Sequence, residues 1–145
     1  GNFGTALKLI NKSSQDNAFE TWFVRWVRLA FKAKGDKKVV QDLKQWGEEI
    51  ASSGVETQKK FLNYSLNLFR FAVMEHYSLE ELNKFYSKTG FKLKEFASYI
   101  HGQNILDIVD AIEKSHYELS RNGSPLMIFT DLAFLLTRLL HKGKQ

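Results

Sequence analysis

The stretch Ser124-Pro125-Leu126-Met127-Ile128-Phe129-Thr130-Asp131-Leu132-Ala133-Phe134-Leu135-Leu136-Thr137-Arg138-Leu139-Leu140 decides the fold. A serine followed by the chain's only proline is a helix opening. The hydroxyl can accept from an otherwise unpaired backbone N–H, and proline at the first helical position loses no hydrogen bond. At about 100° per residue, Leu126, Ile128, Phe129, Leu132, Ala133, Leu135, Leu136, Leu139 and Leu140 form one broad apolar half. That half is expected in a core, on a helix from Leu126 to about Lys142. Met127 and Phe134 stand on the opposite side, among Thr130, Asp131, Arg138 and His141. Phe134 lies one turn before Arg138, and an aromatic beside an arginine is a pair enriched at interface anchors. Met127, Phe134 and Arg138 are therefore expected to contact a partner, against the plainer alternative that single exposed apolar residues are common.

Working outward, Gly35, Gly54, Gly90, Gly102, Gly123 and Gly143 fall where helices would end in a left-handed residue, and no alternating β-branched run competes. A short first helix is expected over Thr5 to Asn11. The polar stretch from Lys12 to Asn17 then leads into a second helix that reaches about Lys34. Asp36 can cap a third, with Val39, Val40, Leu43, Trp46 and Ile50 at core spacing and a stop at Gly54. A fourth runs from about Glu56 to His76. Ser78 and Glu81 form a capping box for a short fifth. A sixth spans Phe91 to His101, and Asn104 caps a seventh that stops near Gly123. The expected fold is all-α: residues 1–145 as one compact bundle of roughly seven to eight helices.

The second helix is apolar around most of its circumference, through Phe19, Trp22, Phe23, Val24, Trp26, Val27, Leu29, Ala30 and Phe31. It reads as central to the bundle. Its narrow polar stripe of Thr21, Arg25, Arg28 and Lys32 has a sharper reading, in which Arg25, Arg28 and Lys32 contact phosphate or a partner's carboxylates. The fourth helix is similar, with Phe61, Leu62, Tyr64, Leu66, Leu68, Phe69, Phe71, Ala72 and Val73 opposite a strip of Glu56, Lys59, Lys60, Asn63, Asn67 and Arg70.

Composition limits the function classes. Hydrophobic residues at 43%, aromatics at 14%, supply enough material for a core and exclude a disordered tail. The absence of cysteine excludes a disulfide framework, thiolate chemistry and Cys-bearing zinc sites, and permits a reducing compartment. No apolar run approaches a membrane span, and the start lacks signal-peptide character. The chain opens on Gly1-Asn2-Phe3 and is expected to be a fragment of a longer protein. A net charge of +5 is compatible with a nucleic-acid partner, though a modest excess over a whole domain more often serves solubility.

Motifs for chemistry are missing. His76, His101, His116 and His141 are scattered without ligand partners at i and i+4, so no metal is expected and the histidines default to solvated helix surface. No phosphate-cradling glycine loop, dinucleotide fingerprint or Gly-x-Ser-x-Gly elbow occurs. The pairs Glu48-Glu49 and Glu80-Glu81 sit near expected helix ends, where dipole and capping roles account for them. Neither catalytic residues nor a cofactor are expected.

Three stretches together resemble the C-terminal region of bacterial DNA polymerase III delta-prime subunits of the Bacteroidetes kind. They are Phe23-Val24-Arg25-Trp26-Val27-Arg28-Leu29-Ala30-Phe31-Lys32, then Gly54 to Tyr64 with Leu68-Phe69-Arg70, and Ile128 to Leu132 with Leu136-Thr137-Arg138-Leu139-Leu140. The similarity spans nearly the whole chain, and no single stretch is a signature. The resemblance implies a helical collar domain in a cytoplasmic protein, excised from below an upstream AAA+ module whose zinc site and Ser-Arg-Cys motif are not in this sequence. It implies packing against the collar domains of the delta and gamma/tau subunits in a clamp loader that places the sliding clamp on primed DNA, with no chemistry in the collar itself. The alternative is a small basic helical DNA-binding domain using Arg25, Arg28 and Lys32 with the basic end Arg138, Lys142 and Lys144.

Overall fold

Serine, aspartate and asparagine each cost a helix at most about 0.7 kcal/mol relative to alanine, and only glycine and proline cost appreciably more. Lys12 to Asn17 contains neither, and it does not break the helix. In the computed structural model, which describes residues 2–33, 36–76 and 97–141 (the backbone alone at 2–16, 75 and 76), α1 runs unbroken from Asn2 to Lys32. The two helices expected there are one. The others are α2 (Lys37–Ala51), α3 (Val55–His76), α4 (Ile105–Ser120) and α5 (Pro125–Leu140). The described residues contain no strand. The protein is all-α, with five helices among the described residues. The expected fifth helix lies outside those residues. So does most of the sixth, whose last helical residue is Ala97 rather than His101.

Two caps follow the sequence. The Asp36 carboxylate accepts from Lys38 N–H at 2.9 Å, and the Ser124 hydroxyl accepts from Met127 N–H at 3.3 Å with Pro125 in the first turn. Gly54 has φ +99, a conformation that L side chains rarely adopt, and its carbonyl accepts from Gln58 N–H. Gln58 is fully buried, and its side-chain amide donates to the last carbonyls of α2 at Ile50 and Ala51. One residue thus closes the α2–α3 corner.

Elsewhere the ends differ from expectation. At the end of α4 the left-handed residue is Asn122 (φ 63), not Gly123. The Gly123 N–H reaches back to the Glu118 carbonyl at 2.7 Å and Asn122 N–H to that of Leu119, the paired bonds of a Schellman motif. Glycine is needed at 123 for a different reason, since a Cβ there would lie 2.8 Å from the Glu118 oxygen. Asn104 precedes α4, but its side chain makes no capping bond. It is fully buried, accepts from His101 N–H and donates to the carbonyls of Tyr99 and of Leu139 in α5. Glu48 and Glu49 lie in the last turn of α2, where the helix dipole disfavours carboxylates.

One contiguous core draws residues from all five helices. Trp26 stacks on Trp46 of α2 at 5.1 Å between ring centroids and meets Phe69 of α3 edge-on at 5.9 Å. Such ring pairs contribute about 0.5–1.5 kcal/mol each beyond the area they bury. Both indole N–H groups are satisfied without leaving the core, Trp46 on the Trp22 carbonyl and Trp26 on that of Leu132 in α5. Helix α2 packs most extensively on α5, where Gly47 lies against Thr130. A Cβ at Gly47 would stand 3.1 Å from the Thr130 hydroxyl and 3.2 Å from its backbone nitrogen, so the absent side chain sets the spacing. Two apolar positions assigned to the core are outside it: Phe71 is 42% exposed and Leu126, in the first turn of α5, is 49% exposed.

Candidate functional site

Three contacts orient α5. The Trp26 indole holds the Leu132 carbonyl, the Asn104 amide holds the Leu139 carbonyl, and Gly47 admits Thr130. With Ile128, Phe129, Leu132, Ala133, Leu136, Leu139 and Leu140 buried, the helix cannot rotate without exposing them. Its opposite strip is thereby fixed outward. Met127, Asp131, Phe134 and Arg138 follow one another at intervals of three or four residues, which places them in a single line along the helix. Met127 is 66% exposed, and Asp131 and Arg138 are exposed. Phe134 is half-buried and packs on the edge of the core, so it is not the fully solvated ring that its neighbours in sequence suggest.

Beside this line, α4 and α5 enclose an open groove of about 390 Å³. Ala111, Phe134 and Leu135 form part of its apolar lining, while Lys114 and Glu118 of α4 and Asp131 and Arg138 of α5 supply charge. Lys114 and Glu118 are one turn apart and face each other at 3.9 Å. Asp131 and Arg138 make no ion pair among the described residues. The groove therefore combines an apolar lining, one satisfied ion pair and two opposite charges still free to bond. That composition can hold the side of a helix or an extended segment.

The α4 side of the groove was not singled out from the sequence. A signal exists, because Ala111, Lys114 and Glu118 repeat at helical spacing on a side distinct from the buried Ile108, Ile112 and Leu119. Such a line is indistinguishable from ordinary solvated surface until α5 is seen beside it.

The basic stripe of α1 is shorter than its sequence suggests. The Arg25 guanidinium donates to the Glu49 carboxylate of α2 at 2.6 Å, which accounts for the position of Glu49 against the dipole of its own helix. Both side chains are more than a third exposed, so the pair contributes at most about 1 kcal/mol. Thr21 bonds back to the Asn17 carbonyl. Arg28 and Lys32 remain exposed. No element brings this stripe together with Met127, Phe134 and Arg138 into one site.

Among the described residues no group of three or more His, Asp or Glu is placed to hold a metal ion. The histidines are not uniformly solvated helix surface: His101 lies in the turn before α4 and accepts from Gln103 N–H, and His141 packs edge-on against Phe31 with a buried Nε2. No described helix is long and apolar enough to cross a membrane. Comparison with protein-family models, with curated proteins and with solved structures finds no match to this chain.

Proposed function

We propose that this chain is a non-catalytic assembly domain whose partner-contacting surface is the outer strip of α5 with the adjoining α4 groove. The observation that carries the reading is the contrast across α5. One side is tied down by core packing and two side-chain hydrogen bonds, while the other presents in line Met127, Phe134 and an exposed Arg138 that makes no ion pair among the described residues. Residues of these types are enriched where interfaces concentrate their energy.

The sequence resemblance gives this surface a context. In that reading the chain is the collar domain of a DNA polymerase III delta-prime subunit, a cytoplasmic replication protein with an upstream AAA+ module, and the strip docks on the collars of the delta and gamma/tau subunits. The domain itself carries no ATP chemistry and no cofactor; it holds the loader together while other parts load the clamp. A direct test is co-purification of the other loader subunits with full-length protein carrying Phe134→Ala. Loss of a central interface ring should weaken assembly by about 2 kcal/mol or more. Undiminished assembly would remove the strip from the interface.

DNA binding is the second reading: Arg25 is engaged by Glu49, Arg28, Lys32 and Arg138 are exposed, and Lys142 and Lys144 lie outside the described residues. A handful of phosphate contacts would give weak binding with a shallow dependence on salt, because the salt slope scales with the number of phosphates neutralised. Nanomolar, sequence-selective binding at physiological salt would put this reading first.

A further inference from the structure

The seam between α4 and α5 holds two hollows that adjoin. Beside the open groove lies a notch of about 10 Å³, the room of a single methyl group, and Ala111, Leu132 and Leu135 border both. The notch is lined by aliphatic side chains and by Trp26, whose N–H is already engaged by the Leu132 carbonyl, so a water there has no side chain to bond. Along α5, Leu132 and Leu135 fall between Asp131 and Arg138, which are exposed and make no ion pair among the described residues. Those two charges are seven residues apart, about 10.5 Å along the helix. A helix laid along the groove presents the same face again after seven residues, about 10.5 Å, with another side chain of that face in between. An extended segment rises about 3.3 Å per residue, so it spans that distance in three residues and turns its two ends to opposite faces. Resting on the assembly reading above, we infer that the other subunit docks here through an amphipathic helix. That helix seats one aliphatic side chain in the notch and sets a cation against Asp131 and an anion against Arg138.

The volume of the notch admits the end of a leucine, isoleucine, valine or methionine and excludes a ring. Atoms that line a void lack contacts on one side, and an inserted methyl group supplies them. An apolar anchor in a small pocket, with polar contacts around it that exclude water, is how interfaces concentrate their energy. Around this notch the polar contacts fall to two residues, because Lys114 and Glu118 on the α4 side already face each other. Asp131 and Arg138 are left to select the occupant. A helix with the same charge at both positions sets one of them against its own sign, which rejects it as a partner. The pattern expected on the partner is therefore a cation and an anion seven residues apart on one helix, with an aliphatic residue three or four positions from each.

The experiment titrates full-length protein against the purified delta and gamma/tau subunits, comparing wild type with Ala111→Leu, Asp131→Lys, Arg138→Glu and Phe134→Ala. Ala111→Leu fills the notch from within, so it should weaken binding at least tenfold without lowering the melting temperature. Each charge reversal should weaken binding at least fivefold. If the larger side chain at 111 unfolds the domain, Ala111→Val takes its place, and the reversals at exposed positions test the charges independently. Hydrogen exchange on the bound partner then locates the segment that becomes protected. Wild-type affinity in the notch-filling variant or in both reversals overturns the inference, and so does a protected segment that is not helical or lacks the cation, aliphatic and anion at the stated spacing. A chain that dimerises by itself through the groove, with Ala111→Leu abolishing the dimer, overturns it in favour of a second copy. Phe134→Ala separates the two levels. If it weakens binding while the other variants do not, the strip is an interface without this helix; if no variant weakens binding, the assembly reading falls as well.

Discussion

On its inner side α5 carries Phe129, Leu132, Ala133 and Leu136, all buried, and two of its carbonyls accept side-chain hydrogen bonds from Trp26 and Asn104. On its outer side Met127, Asp131 and Arg138 are exposed, and Phe134 only partly covered. Residue type alone does not separate the two sides, since methionine and phenylalanine are as suited to a core as leucine. The difference is geometric. A helix lying on α1, α2 and α4 can bury little more than half its circumference, and apolar residues on the remaining half are left for something else.

Cavity formation should break the comparison most strongly. Leu136→Ala deletes a fully packed side chain and is expected to cost about 2–5 kcal/mol. For a domain of this size each kcal/mol corresponds to roughly 2–4 °C of melting temperature, so calorimetry should register a fall of about 10 °C. A loss below about 1 kcal/mol would mean that the inner side of α5 is not the packed side.

Next in size is the polar tie. Asn104→Ala removes three hydrogen bonds from a fully buried position, leaving the His101 N–H without its acceptor and Tyr99 and Leu139 without their extra donor. The expected cost is about 1–3 kcal/mol, with faster hydrogen exchange in the turn before α4. Asn104→Asp separates the roles, because a carboxylate still accepts from His101 but cannot donate to either carbonyl. If Asn104→Asp were as stable as wild type, the bond to α5 would have no energetic weight.

The smallest effects belong to the outer strip. Phe134→Ala, at a half-buried site, should lower stability by about 1 kcal/mol, well below Leu136→Ala, and Met127→Ser by no more than about 0.5 kcal/mol. Equal destabilisation by Phe134→Ala and Leu136→Ala in the same melting experiment would erase the distinction between the two sides and place Phe134 in the core.

Much of α5 was legible in advance because every signal in it is local. The Ser124-Pro125 opening, the buried half and the outward line are all readable from spacing along one helix. Within α5 the exposed residue of the expected apolar half is Leu126, in the first turn. Residues 12–17 misled for the opposite reason: a cluster of weak helix formers resembles a loop, yet their summed preference does not outweigh the cooperativity of a helix already formed on both sides. The candidate site was half legible. Met127, Phe134 and Arg138 stand out as residues out of place, whereas Ala111, Lys114 and Glu118 of α4 look like any solvated helix surface.

From the sequence alone come the all-α class, the caps at Asp36 and Ser124 and the two-sidedness of α5, since helical periodicity and capping depend on residues within a turn or two of one another. Tertiary structure decided which polar groups meet: Arg25 with Glu49, Trp26 with the Leu132 carbonyl, Asn104 with Leu139 rather than with the start of its own helix. It also decided that Gly47 would lie against Thr130 and that α4 would form the far wall of the groove. These partners are far apart along the chain, and a hydrogen bond forms only within about 3.5 Å. Pairings on that scale depend on how the helices cross, which no repeat along a single helix encodes.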